Sequence, residues 1–308
     1  MMKKCILCKS EDVATTEKLI VEELKKVYFN DTGLTIPYNS DTIDVRYCRN
    51  CTLIFFDPFF PGDGNFYSYL QNLPNYYETD KEEFVVASKY ISNSSSVLEV
   101  GCGEGHFKKY LDESVKYTGL DFNPTAIEKA QKKGIRVIDE SIEKHAESYQ
   151  LEYDCVLFFQ LLEHIDNPHS FLLSVLKCLK PGGILIFAVP NNESFLVNAI
   201  NHSLNLPPHH CTKWNKVTFE KVAKIFNLET VKIVEEGLPK YHFRYFYKIM
   251  VNTRLRMLLN LPHREIDLSA LSVFLLKLSG LISYLITTFK SFKSNELGQS
   301  ITTIYKKK

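Results

Sequence analysis

Three groups of residues in this 308-residue chain have the types and spacing of chemistry. The first is Gly101-Cys-Gly103-Glu-Gly105, with Glu99 two residues before it and Asp121 twenty residues after Gly101. Alternate glycines let a backbone turn tightly and approach a ligand closely. A carboxylate at the Asp121 position can accept hydrogen bonds from both hydroxyls of a ribose. The second group is four thiols in two knuckles, Cys5-x-x-Cys8 and Cys48-x-x-Cys51. Two such knuckles can close a tetrahedral zinc shell, and four Cys ligands leave no open position, so the expected metal is structural. A redox pair would instead open a helix of a thioredoxin-like unit. The third group is histidine: Glu163-His164, and Pro207-Pro-His209-His210 beside the single Trp214. Imidazole can remove a proton near neutral pH, which makes His209, His210 and His164 candidate general bases.

The elements that must position these groups read as follows. Between the Cys pairs, Thr16–Val27 is expected as a strand, 30–40 as a turn region and Ile43–Tyr47 as a short strand. Lys81–Ile91 has helical spacing of apolar residues. From residue 96 strands and helices alternate, with strands at Val97–Val100, Tyr117–Leu120, Ile135–Ile138, Asp154–Phe159, Ile184–Val189 and Leu228–Val234. Helices are expected at Gly105–Leu111, Pro124–Lys133, Pro168–Leu179 and Thr218–Phe226, and Ser300–Tyr305 reads as a last strand. Such alternation predicts an α/β fold with a mostly parallel sheet covered on both faces. Glu163-His164 follows the fourth strand and the His209 loop follows the fifth, both at the carboxyl edge where ligands bind.

The ligand of the glycine loop follows from its flanking residues. A dinucleotide fingerprint wants Gly or Ala where this chain has His106, and Glu99 would repel a pyrophosphate. S-adenosylmethionine has no phosphate and carries a cationic sulfonium and amine, so neighbouring acids suit it. Glu-Val-Gly101-Cys-Gly103-Glu-Gly105, Gly-Leu-Asp121-Phe-Asn-Pro, Leu162-Glu-His-Ile-Asp-Asn-Pro168 and Leu179-Lys-Pro-Gly-Gly-Ile-Leu-Ile-Phe187 resemble, in order, the motifs of class I S-adenosylmethionine-dependent methyltransferases. The resemblance covers roughly 93–236 and the final strand. It implies that Gly101 and Gly103 line the methionine end of the cofactor, that Asp121 holds the ribose and that Phe122 stacks on adenine. It also implies that Ser141 reaches the adenine amino group and that Gln160 meets the cofactor from the other side. In quinone-type O-methyltransferases a Glu-x-x-Glu-His pattern binds a divalent ion; here Gln160 stands at its first position. Tyr76 and Tyr77 could lie over the cofactor as a lid.

The combination with the Cys knuckles resembles sugar and polysaccharide-pathway methyltransferases that carry an N-terminal zinc lobe. The expected organisation is a zinc lobe over 1–60, a linker and helix over 61–92, a methyltransferase domain over 93–237, a helical basic insertion over 238–298 and the last strand over 299–308. The expected reaction is methyl transfer from S-adenosylmethionine to a small-molecule or carbohydrate-type acceptor, at oxygen. The alternatives are a sugar C-methyltransferase, a quinone-type O-methyltransferase, an RNA methyltransferase and a non-catalytic cofactor-binding protein.

Charge adds a further division. Residues 238–308 carry twelve Lys/Arg against three Asp/Glu, while residues 1–237 carry 25 against 33. The basic part contains Leu268–Phe289, 22 mostly apolar residues with Lys277 at the centre. A central charge is costly in lipid. Packing on the protein, or peripheral contact with a membrane face, is the expectation. A glycan or lipid-linked sugar substrate would also suit the basic surface; nucleic acid is disfavoured by the lack of a recognisable binding module. The first residues lack the apolar stretch of a signal peptide, and reduced cysteines, with Cys155 and Cys178 in apolar runs, fit a cytoplasmic setting, peripheral to the inner face of the membrane if it meets one.

Overall fold

Unbroken apolar runs such as Val156–Phe159 and Leu185–Val189 suit strands buried on both faces, and they form the centre of the sheet in this computed structural model. The structure describes residues 4–36, 38, 40–59, 61–62, 64–71, 81–289 and 296–308. In chain order the elements are β1 (Val13–Ile20), α1 (Val21–Thr32), β2 (Thr42–Cys48), β3 (Ile54–Asp57), α2 (Gly64–Gln71), α3 (Glu82–Ser88), β4 (Ser96–Val100), β5 (Lys116–Leu120), α4 (Pro124–Lys132) and β6 (Val137–Ile138). There follow α5 (Ile142–Ser148), β7 (Tyr153–Phe159), α6 (Pro168–Cys178), β8 (Leu179–Pro190), β9 (Thr212–Lys213), α7 (Lys216–Ile225), β10 (Leu228–Gly237), α8 (Phe243–Leu258), α9 (Ala270–Phe289) and β11 (Leu297–Lys307).

The expected α/β fold is present. Seven strands lie in the order β10-β11-β8-β7-β4-β5-β6. Five of them, β8-β7-β4-β5-β6, pair parallel, and β11 is antiparallel to both β8 and β10. The chain leaves β4 toward β5 and β6 on one side, then returns to β7 and β8 on the other. That reversal between β4 and β7 opens a crevice at their carboxyl ends, the place where open α/β sheets bind ligands.

Alternate residues point to opposite faces, so each central strand serves two cores. Leu98, Val156, Phe158 and Phe187 pack with Phe171, Val175 and Phe219. Val97, Cys155, Leu157 and Ile186 pack with Phe84 and Phe107 on the other face. Cys155 and Cys178 are buried core residues, as their apolar settings suggest.

Several elements differ from expectation. The strand expected over Thr16–Val27 ends at Ile20, and the chain turns into α1. Val21, Leu24, Val27 and Tyr28 repeat at helical spacing and form the buried face of that helix. Gly33, in the left-handed region at φ 78°, closes it by donating to Phe29 O. The helix expected over Gly105–Leu111 is only a 3₁₀ turn, His106–Tyr110. The strand expected from Ile135 is reduced to Val137–Ile138. The helix expected over Pro168–Leu179 ends at Cys178, and Leu179–Gly183 is drawn into β8.

A second sheet has the order β1-β2-β3-β9. Its last strand comes from the histidine loop, with Phe55 opposite Thr212 and Ile54 opposite Lys213. Cys5, Leu7, Cys48, Cys51 and Leu53 share one apolar core with Trp214 and Phe219. The N-terminal residues are thus continuous with the large sheet, across the division expected at residue 60. Helices α8 and α9 occupy the connection between the paired strands β10 and β11.

Candidate functional site

The crevice between β4 and β7 is built on the glycine loop. Gly101 N and Cys102 N both donate to Leu120 O, at 2.8 and 3.0 Å, which ties the loop to the end of β5. Gly103 has φ 53°, and a Cβ there would meet nothing within 4 Å. The positive φ is one that glycine adopts without strain, and the open side leaves space for a ligand against the backbone. Gly105 completes the turn before His106.

Asp121, at the end of β5, braces this loop. Its Oδ2 accepts from Gly103 N at 2.6 Å and its Oδ1 from Asn123 N at 2.8 Å. Each carboxylate oxygen has a second lone pair, so the residue retains acceptor geometry while shaping the turn. Phe122 beside it is 66% exposed, a bare aromatic face at the crevice. Ser141 caps α5, its Oγ accepting from Lys144 N at 3.2 Å.

Glu99 is buried in β4 and accepts a short hydrogen bond from Tyr117 Oη at 2.5 Å. Burial pushes its carboxyl up to about 8; the Tyr117 hydrogen bond opposes that shift, the Asp121 charge adds to it, and Lys81 draws it down. A cationic ligand in the crevice would favour the ionised form. Gln160, just past β7, has φ 50° and is not glycine, so its backbone is held in a sparsely populated region. Its Nε2 donates to both oxygens of Glu83 and to Ser300 Oγ, at 3.1–3.3 Å. Ser300 Oγ in turn donates to Glu83 Oε2 at 2.7 Å. Glu83, a buried acid on α3, is thereby set beside the crevice. Sequence reasoning missed it because α3 shows only its apolar spacing, and no local pattern announces a buried carboxylate. Tyr76 and Tyr77 lie outside the described residues.

Two clusters of ligand-type side chains flank the fold. In the first, one sulfur of each of Cys5, Cys8, Cys48 and Cys51 lies within 4.8 Å of the others. No disulfide joins them; Cys5 Sγ stands 3.6 Å from Cys51 Sγ and Cys8 Sγ 3.5 Å from Cys48 Sγ. The hairpin of β2 and β3 carries one knuckle, and the segment before β1 carries the other.

The second cluster gathers His164, His209 and His210, one ring nitrogen of each lying within 4.8 Å of the others. His164 sits in a 3₁₀ turn, Leu162–His164, after β7. Its Nδ1 faces His209 O at 2.5 Å. His209 Nδ1 lies 2.8 Å from Leu204 O, and His210 Nδ1 3.2 Å from Asn205 Oδ1. Tyr28 of α1 secures the loop: its hydroxyl donates to Leu206 O at 2.8 Å and accepts from His209 N at 3.3 Å. Tyr67 of α2 packs edge-on against His164, ring centroids 5.7 Å apart. Burial lowers all three imidazole pKa values, that of His164 to about 4, because charging a ring there loses its hydration. Glu163 is pushed up to about 8 by the same burial. Sequence reasoning singled out all three histidines, but the spacing of residues 164 and 209 carries no signal that they meet.

A seven-stranded sheet with one antiparallel strand, an acid-lined glycine loop at its reversal point and a carboxylate after the second strand define an S-adenosylmethionine-dependent methyltransferase fold. A family model described as methyltransferase domain matches residues 69–233, and the chain belongs to that family. It is similar to the ubiquinone biosynthesis O-methyltransferase of Proteus mirabilis, 34% identical over 131 residues that cover 39% of this chain and 54% of that protein. The protein of the same description from Escherichia coli O127:H6 is 37% identical over 104 residues, covering 32% and 43%. The chain spans about half the length of the curated relatives it matches. A SAM-dependent methyltransferase from Archaeoglobus fulgidus superposes with a TM-score of 0.49 at 17% identity, over 80% of this chain and 100% of that one.

Proposed function

We propose that the chain transfers a methyl group from S-adenosylmethionine to an oxygen of a small-molecule acceptor. The observation that carries this reading is the open, glycine-lined crevice bounded by Glu99 and Asp121. Gly101 and Gly103 would line the methionine end, Asp121 would take the ribose hydroxyls, and Phe122 would cover the adenine. The oxygen acceptor is supported by the printed names of the similar proteins, which are O-methyltransferases. Within the chain, alignment of the nucleophile in line with the sulfonium is the main requirement. Calorimetry with S-adenosylhomocysteine tests the cofactor. Wild type should bind, and Asp121→Ala should bind at least about tenfold more weakly. No binding by wild type would end the cofactor reading. Supplying a methyl-labelled donor with phenolic or carbohydrate acceptors would then identify the product class.

The Cys cluster is read as a structural zinc site. Four convergent sulfurs with no disulfide fit a closed tetrahedral shell, and Cys8 and Cys48 approach each other about as thiolates do around one ion.

The orientation of α9 favours a peripheral membrane contact. Its face toward the protein is mostly small and polar: Ser272, Ser279 and Ser283 are fully buried, with Leu275. Its outward face carries Leu271, Phe274, Leu281, Tyr284 and Leu285, all exposed. This inverts the usual pattern of a surface helix. The helix is long and apolar enough to cross a membrane by length and composition, with a mean hydropathy of 1.8. Arg244 lies over the Tyr284 ring at 5.1 Å, and Arg254 is exposed on α8. Such a surface suits the headgroup boundary of an anionic bilayer. Arg256 is not part of it: its guanidinium pairs with Asp267 at 2.9 Å and bonds Ser272 Oγ and Pro262 O. Flotation with anionic vesicles should carry wild type, and Phe274→Glu with Leu281→Glu should remain unbound. Equal flotation of both would remove the contact.

A further inference from the structure

Donor and acceptor count fixes the side-chain amide of Gln160 in one orientation. Ser300 Oγ has a single hydrogen and gives it to Glu83 Oε2 at 2.7 Å. Toward Gln160 it can then only accept. The two oxygens of an ionised Glu83 can only accept as well. The Gln160 group that meets all three is therefore its NH2. The carbonyl oxygen diverges from the NH2 across the planar amide, so it points away from Glu83 and Ser300. It has no hydrogen-bond partner among the described residues and is not enclosed by protein.

The surroundings decide what this oxygen faces. Glu83 and Gln160 each adjoin a phenylalanine, and those rings, Phe84 and Phe159, pack edge-on with centroids 4.8 Å apart. That contact holds α3 against the end of β7. Ser300 is fixed through its backbone N–H, which donates to Glu236 Oε2 at 3.1 Å. Lys81 Nζ stands 3.7 Å from Glu83 Oε1, so the charge of this acid is already opposed within the protein. Ser300 lies on β11, and the crevice lies on the opposite, β4 side of β7. Leu161, the residue after Gln160, reaches the glycine loop there: a Cβ on Gly101 would stand 3.0 Å from Leu161 Cδ2. An NH2 turned toward β11 leaves the carbonyl turned toward the crevice.

We propose that Glu83 is a positioning residue which, with Ser300, turns the Gln160 carbonyl oxygen onto the cationic end of the methyl donor, so that this oxygen selects the charged donor over the spent cofactor. The inference rests on the cofactor reading above. A sulfonium spreads its positive charge over the methyl group, and the negative end of a carbonyl dipole attracts it. Loss of the methyl leaves a neutral sulfur, the attraction falls, and the spent cofactor is released more easily. The reversed amide would set an NH2 against the sulfonium. An acid at position 83 prevents that reversal because it offers acceptors alone.

Calorimetry with S-adenosylmethionine and S-adenosylhomocysteine, which differ in the methyl group and the charge at sulfur, tests this. Wild type should prefer the charged ligand by at least about tenfold, the scale of a hydrogen bond or dipole to an ion. Gln160→Met is close in volume and lacks the carbonyl. It should lose most of that preference while S-adenosylhomocysteine affinity, which also reports the fold, stays within about twofold. Glu83→Ala should lose the preference similarly. The double variant should lose no more than either single one, because the acid acts through the amide. Should Glu83→Ala fail to fold, Glu83→Gln tests the same step: the new amide brings its own NH2, the sense of Gln160 is no longer fixed, and the preference should fall. An unchanged ratio in Gln160→Met overturns the inference. So does a further loss on adding Glu83→Ala to Gln160→Met, which would show the acid acting by its own charge. Wild type that binds neither ligand overturns the cofactor reading itself, an outcome distinct from equal ratios in proteins that bind both.

Discussion

The cysteine cluster and the histidine cluster are two gatherings of ligand-type side chains, built in opposite ways. The cysteines lie in two local knuckles, and one hairpin of β2 and β3 holds half of the set. The histidines come from a turn after β7 and from a loop some 45 residues later, joined by a hydrogen bond between His164 Nδ1 and His209 O. The first gathering depends on short-range spacing. The second depends on α1, α2 and the sheet all being in place, since Tyr28 and Tyr67 support it from the N-terminal region. A cluster made of local knuckles can assemble early and hold a small sheet together. A cluster made across elements reports on the completed fold.

That contrast gives an order of expected effects. The largest belongs to Cys48→Ser. Loss of one of four thiolates should remove about one zinc per chain and lower the melting temperature by ten degrees or more, on the order of a lost structural metal. Metal analysis and a thermal melt decide it, and an unchanged zinc content would contradict the site.

Next is Tyr28→Phe, which removes one buried hydroxyl that serves both Leu206 O and His209 N. The expected cost is about 1–3 kcal/mol, or a melting shift of several degrees, because the carbonyl loses a partner inside the protein. The cysteine zinc should be unaffected. A variant that lost that zinc as well would show the two clusters to be one cooperative unit.

A smaller effect concerns pH. The folded-state carboxyl of Glu99 is pushed up to about 8 from 4.5. The folded state therefore holds a proton that the unfolded chain releases, and stability falls as pH rises between about 5 and 8. Tyr117, Asp121 and Lys81 face it, and burial dominates. Glu99→Gln keeps the neutral form at every pH, so its melting temperature should fall less over that window, by on the order of a few degrees. Parallel pH profiles for the two proteins would show that the strain is not at Glu99. The smallest effect is Arg254→Gln, an exposed residue, expected to leave stability within about 0.5 kcal/mol while weakening vesicle flotation.

Much of the fold was legible because its signals are local. Apolar runs of strand length and the glycine turn both act over a few residues. The strand β9 was not legible: two residues carry no periodicity, and pairing with β3 alone makes them a strand. The error at Thr16–Val27 has the same origin. Its β-branched beginning reads as a strand, but burial of Val21, Leu24 and Tyr28 against distant partners decides the helix.

The division of charge also became more specific. The basic excess after residue 238 is partly consumed inside the protein, where Arg256 pairs with Asp267. Arg244, exposed on α8, lies over the ring of Tyr284 on the outward face of α9.

By itself the sequence determined the class of fold, the glycine loop with its two acids, and the two cysteine knuckles, because each is set by neighbours along the chain. Only the tertiary structure decided that Glu163 is buried beside three histidines, that Glu83 lies at the crevice, and which face of α9 meets water. Those outcomes depend on which surfaces meet, and contact between residues far apart in the chain leaves no spacing to read.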